Sequence, residues 1–244
     1  MTSGQASNLH KRLPAYSVHV LTASGIVPAA FAMMEIAEPD CDPRLVLLLL
    51  LLTTLIDAID GPLARKFHVK RYADKISGRT IDDLIDYLTF AFIPLLLIWR
   101  MDWMPPGLGW TVVFALMASL FGFAHQQAKD EANGFFRGFP SYWNAVALYS
   151  GIFTTTLSPW LTATCVWSLT ILTVAPVWFI YPNLAPPKWK PSIMIGAFLW
   201  TLTLLALLAF YPNPPVWLLI LSLLYPIYYA VVSVYCRVHS PQAP

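Results

Sequence analysis

Apolar blocks of about 20 residues alternate with short polar segments along this chain. A helix of that length crosses the roughly 30 Å hydrocarbon layer of a bilayer. The pattern predicts eight membrane spans, over residues 14–35, 43–61, 83–101, 107–125, 142–160, 162–181, 192–211 and 215–236. The expected fold is therefore all-α, a polytopic membrane helix bundle of about eight transmembrane helices. The loops are short, so residues 1–244 are expected to form one membrane domain. It would have an N-terminal segment at 1–13, the bundle at 14–236 and a tail at 237–244. Ala30-Phe31-Ala32 resembles a signal cleavage site, but the apolar stretch is too long for a signal peptide.

Composition agrees with the pattern. Hydrophobic residues make up 57% and charged residues 11%, where a soluble domain carries about 25% charge. The basic residues are unevenly placed. Lys11, Arg12, Arg65, Lys66, Lys70, Arg71, Lys75, Arg79, Lys129, Arg137, Lys188, Lys190 and Arg237 fall on one side of the predicted spans. Arg44 and Arg100 fall on the other. This positive-inside bias predicts that both termini face the cytoplasm. The net charge of +2 needs no nucleic acid partner, because these basic residues face an anionic leaflet. Cys41, Cys165 and Cys236 lie in three separate places, and no Cys–His spacing suggests zinc.

The acidic residues carry the candidate chemistry. Asp57 and Asp60 end the second span, and Asp82, Asp83 and Asp86 begin the third. No acidic residue follows Glu131, so carboxylate chemistry must lie in the first half. At about 100° per residue, Asp57, Asp60, Gly61 and Ala64 share one helical face. Gly78, Asp82 and Asp86 share another at spacings of four, while Asp83 points about 100° away. Pro62 should kink the second helix. A single aspartate at a helix end often only caps it or meets headgroups. Four of them, interleaved with glycines, argue for a site, since four carboxylates cannot all stay ionised in a low dielectric without cations. Hard oxygen ligands favour Mg2+ or Mn2+, and two such ions about 3.5–4 Å apart would clamp a phosphoryl group. His19 and His125, near span ends, read as hydrogen-bonded packing residues.

The stretch Asp57–Asp86 resembles the signature of the CDP-alcohol phosphotransferases. The matching positions are Asp57, Asp60, Gly61, Ala64, Arg65, Gly78, Asp82 and Asp86. Twelve residues separate Arg65 from Gly78, where most of that family has eight. The longer gap, and more weakly the stretch Gly138–Asn144, is similar to the bacterial phosphatidylcholine synthase subgroup. The resemblance implies an inner-membrane enzyme that joins CDP-diacylglycerol to choline, releases CMP and uses a divalent cation, usually Mn2+. It implies metal ligation by Asp57, Asp60 and Asp82. Asp86 would be the catalytic base and a further metal ligand. Gly61, Ala64 and Gly78 would leave room for the nucleotide, and Arg65 would support it by charge. It also implies a homodimer among membrane lipids.

The quaternary ammonium of choline should be held by aromatic faces. Candidates are Tyr16, Tyr87, Tyr142, Trp143 and Tyr181, with Tyr142 and Trp143 first because they begin a span beside Asn144. The same residue types collect at membrane interfaces for other reasons. Two other functions fit parts of the pattern. One is a related enzyme with serine, inositol or glycerol 3-phosphate as acceptor. The other is a cation-coupled choline transporter, although the acids cluster at one membrane face and not at the midplane.

Overall fold

The computed structural model describes residues 3–125, 129–130 and 134–239. The outer ends of the expected N-terminal segment and tail, residues 1–2 and 240–244, lie outside the described residues, as do Glu131 and the side chain of Lys129. The chain is a polytopic helical membrane protein with two compact units, Met1–Leu97 and Ile98–Pro244.

The first unit contains α1 (Ser3–Ser24), α2 (Ile26–Ala37), α3 (Pro43–Lys66), the short α4 (Val69–Tyr72) and α5 (Gly78–Asp86). A π-helical turn, Tyr87–Phe92, joins α5 to α6 (Ile93–Arg100). The start of α3 follows local rules: Asp42 accepts from the Arg44 amide at 2.9 Å, and Pro43 occupies the first turn, where no amide donor is needed. Its end carries Arg65 and Lys66, cations that complement the C-terminal dipole. The helix continues past Pro62 to Lys66. His68 then takes a left-handed conformation, φ 49°, and turns the chain into α4. Ser77 begins α5 by accepting from the Thr80 amide at 3.2 Å. Helix α1 is the common neighbour: it packs on α3, α4 and α5.

The second unit contains α7 (Val112–Ala124), α8 (Trp143–Thr156), α9 (Pro159–Val174), α10 (Lys190–Ala209) and α11 (Val216–Val238). Three short strands, β1 (Lys129–Asp130), β2 (Phe135–Arg137) and β3 (Trp178–Ile180), form an antiparallel sheet in the order β1-β2-β3. The sheet was not expected from the pattern. Among the described residues every buried side-chain N or O has a hydrogen-bond partner, as a stable interior requires.

Each predicted span meets helix, but the lengths differ from expectation. Four helical stretches are long and apolar enough to cross a membrane: Lys11–Ala37, Pro43–Lys66, Lys190–Ala209 and Val216–Val238. Gly109–Ala124 and Pro159–Val174 are apolar but shorter. The fifth expected span, 142–160, is cut at Thr156. Ser158 caps the next helix through the Trp160 amide, and Pro159 opens it. The sixth, 162–181, is cut at Val174. Ala175 precedes Pro176 and is extended, ψ 149°, because a residue before proline is pushed out of the helical region. Nearly all of α8 from Val146 to Ile152 is buried within the protein, so its apolar sequence serves packing.

Candidate metal centre

The two aspartate-bearing helices bring their acids together in the first unit. One carboxylate oxygen each from Asp57, Asp82 and Asp86 lies within 4.8 Å of the others, and all three residues are half-buried. Asp60 is outside that group of three but borders the same pocket and is 6% exposed. Asp83 faces elsewhere, toward Arg79, with Nε and Oδ2 3.6 Å apart. The four acids that spacing placed on two helical faces thus border one pocket, and the set of three closes with Asp86 in place of Asp60.

Two carboxylates 4.8 Å apart repel by about 3–4 kcal/mol at an effective dielectric of about 20. A donor set of three close carboxylates is what a hard divalent cation takes. The pocket is lined by Thr22, Thr53, Ile56, Asp57, Asp60, Asp82, Ile85, Asp86 and Thr89. Its free space is about 10 Å³, about the room of one water-sized particle. The residues present therefore fit a metal ion, and a nucleotide does not fit among them.

Three polar lining residues were missed by sequence reasoning. Thr22, Thr53 and Thr89 are all buried. Each hydroxyl donates back to its own helix, to Val18, Leu50 and Ile85 carbonyls at 3.2, 2.7 and 2.9 Å. With the proton committed there, each oxygen offers the pocket only lone pairs. Thr53 and Thr89 stand one turn from Asp57 and Asp86, so the i,i+4 and i,i+3 spacing could have found them. Nothing local points to Thr22. The π turn after Asp86 was missed as well, and such turns recur at functional sites.

The glycines divide. A Cβ on Gly61 would meet only Arg65 Nη1, at 3.7 Å, so Arg65 folds back over Gly61 and the face stays open. A Cβ on Gly78 would lie 2.6 Å from His19 Cε1 and 2.9 Å from Nδ1. The space expected for nucleotide at Gly78 is therefore taken by an imidazole. His19 is buried, and its Nε2 donates to the Ala73 carbonyl at 3.2 Å, so it is a packing residue as expected. Ala64 joins Tyr16, Leu63, Phe67 and Tyr72 around the buried cluster of Ala15, Val18, Val69 and Ala73. Gly78→Ala is expected to cost about 1–3 kcal/mol, the range for overpacking, and to lower the unfolding temperature. Gly61→Ala should leave that temperature nearly unchanged. Equal melting of the two variants would contradict the close contact at Gly78.

The choline candidates fare unevenly. Trp143 is fully buried, its Nε1 donates to Ser119 Oγ at 2.8 Å, and Phe139 meets it edge-on at 5.3 Å. A ring enclosed in this way has no face for a cation, so Trp143 is corrected to a core residue. Tyr16 belongs to the apolar cluster and meets His19 edge-on. Tyr87 opens the π turn beside Phe92. Tyr142 is 41% exposed at the start of α8. Tyr181 follows β3 and meets Phe136 at 5.0 Å. Within the Gly138–Asn144 stretch, Gly138 has φ 85°, and a Cβ there would lie 2.2 Å from the Thr173 carbonyl oxygen. Only glycine allows that approach.

Comparison with known proteins adds a consistent name. The chain is 35% identical to the phosphatidylcholine synthase of Pseudomonas aeruginosa over 190 residues, 78% of this chain and 77% of the relative. It is 33% identical to that of Mesorhizobium japonicum over 204 residues, 81% and 74% of the two chains. It is 31% identical to that of Rhizobium johnstonii over 234 residues, 92% and 93% of the two. No family model matches the chain.

Proposed function

The chain belongs to the phosphatidylcholine synthase family, a family of phospholipid-making transferases, and on that premise we propose that it transfers the phosphatidyl group of CDP-diacylglycerol to choline. The observation that carries this reading is the meeting of Asp57, Asp82 and Asp86 within 4.8 Å. Asp57, Asp60, Asp82 and Asp86 are the residues to hold divalent cation, Mn2+ or Mg2+, and two ions would balance four carboxylates. When bound, such cations neutralise the pyrophosphate of the donor and polarise the phosphoryl group under attack.

The remaining steps belong to the protein's own residues. Asp86 accepts the proton of the choline hydroxyl as its oxygen attacks the lipid-linked phosphorus. That oxygen forms the new P–O bond, the bond to the CMP phosphate breaks, and CMP leaves with the electron pair. A carboxylate is a weak base for a free alcohol, so proton transfer must accompany attack. Gly61, with Arg65 folded over it, leaves open helix surface beside the acids for the nucleotide, while Ala64 serves packing. Tyr87, Tyr142 and Tyr181 remain the aromatic candidates for the choline cation.

The family resemblance favours a bacterial inner-membrane location, and the basic residues favour both termini in the cytoplasm. The diacylglycerol chains would then stay in the inner leaflet while choline arrives from the cytosol. A homodimer is proposed from the family resemblance. The test is an acceptor panel with purified protein. CMP release from CDP-diacylglycerol is expected with choline and Mn2+ or Mg2+, and not with serine, inositol or glycerol 3-phosphate. Release with serine but not choline would overturn the acceptor. Choline uptake into liposomes without lipid product would overturn the enzyme.

A further inference from the structure

A second cavity lies in the first unit, away from the aspartates. Lys11 and Pro14 of α1, Lys66 at the end of α3, and Phe67, His68 and Tyr72 line it. Its free volume is about 330 Å³, enough for a phosphate-bearing headgroup and far larger than the space among the acids. Along α3, Lys66 stands about 9 Å from Asp60, the nearest of the acids, and along α1, Lys11 stands about 16 Å from Thr22, at about 1.5 Å per residue; none of the acids lines the cavity. The cavity is therefore separate from the metal centre.

Its chemistry is one-sided. Two ammonium groups and an imidazole face the cavity, and none of the lining residues is acidic. Among the described residues neither Lys11 nor Lys66 has a carboxylate partner. Lys11 Nζ sits 5.9 Å from the Tyr72 ring centre, Lys66 Nζ 5.7 Å from that of Phe67, and the Arg71 guanidinium carbon 5.4 Å from the same Tyr72 ring centre. The cations are thus held on aromatic walls, with exposed Lys70 and Arg12 close by in sequence. The left-handed His68 shapes the opening by folding α4 back onto α1. Leu13, between two lining residues, is 69% exposed, as a side chain touching acyl chains would be.

We propose that this cavity binds the headgroup phosphate of a resident anionic phospholipid. A soluble anion would need only the charges. The aromatic walls, the exposed leucine and the position at the polar end of two membrane helices suit a ligand whose tail lies in the bilayer. Such a lipid would clamp the start of α1 to the end of α3. The inference stands whichever acceptor the enzyme uses.

The probe is short-chain phosphatidylglycerol, titrated onto the purified full-length protein in neutral detergent with a metal chelator present. The chelator removes binding that depends on the aspartate site. Wild type should bind phosphatidylglycerol at least tenfold more tightly than the matching phosphatidylcholine. Lys11→Gln with Lys66→Gln should weaken it about thirtyfold, from about 1 kcal/mol per lysine near an anionic lipid. Turnover of that variant at saturating substrates should stay within about twofold of wild type. Unchanged affinity in the variant, equal affinity for the zwitterionic lipid, or loss of binding on chelation would overturn the proposal. So would displacement of the lipid by millimolar inorganic phosphate, which would mark a free-anion site.

Discussion

Asp86→Asn is expected to lower single-turnover CMP release by about 10²–10⁴-fold, the range for losing a general base, while donor binding persists. The substitution keeps the size of the side chain and removes its ability to take a proton. It also removes one negative charge from a group of three carboxylates within 4.8 Å, so a metal-ligand role must be separated from a base role. Mn2+ titration does this. If Asp86 served only as a ligand, excess Mn2+ would restore the rate. If it takes the proton of the acceptor, the rate stays low at every Mn2+ concentration. Turnover near wild type at ordinary Mn2+ would remove Asp86 from both roles.

The second large effect belongs to the metal. A chelator is expected to abolish CMP release, and Mn2+ or Mg2+ to restore it. Asp57→Asn should raise the Mn2+ concentration for half-maximal activity by more than about a hundredfold, since even supporting residues around a metal are worth 10–100-fold. The same site should show itself without any turnover. Mn2+ at a hundred times its dissociation constant stabilises a protein by about 2.7 kcal/mol if only the folded state binds it. Wild type should therefore melt higher with Mn2+ than in chelator, and Asp57→Asn should lose most of that difference. In chelator the order should reverse, with the variant the more stable, because one carboxylate fewer remains in a repelling set. A wild-type melting temperature indifferent to Mn2+ would sink the metal centre.

Several features were legible because they are local. The apolar blocks showed a membrane protein, and the 3.6-residue period placed Asp57 with Asp60 and Asp82 with Asp86. Asp83 was set aside on the same ground, and its side chain lies toward Arg79. The misreadings also have physical causes. The predicted span 142–160 ran α8 into the start of α9, because Ser158 and Pro159 cut the helix inside a block that stays apolar. A tryptophan beginning an apolar block looks interfacial whether it faces headgroups or a core, and Trp143 faces the core with its N–H bonded to Ser119. The strands of two or three residues were too short to show a period of two.

By itself the sequence determined the membrane class, the four acids, the two helical faces that carry them and the family resemblance. All of these rest on periodicity or on spacing within one or two turns. Only the tertiary structure decided which acids meet, and it chose Asp57, Asp82 and Asp86. It also brought Thr22 to the pocket from α1 and set His19 against Gly78, far away in sequence. Those choices come from how α1 packs between α3 and α5, a matter of side-chain shape across long separations that no local pattern encodes.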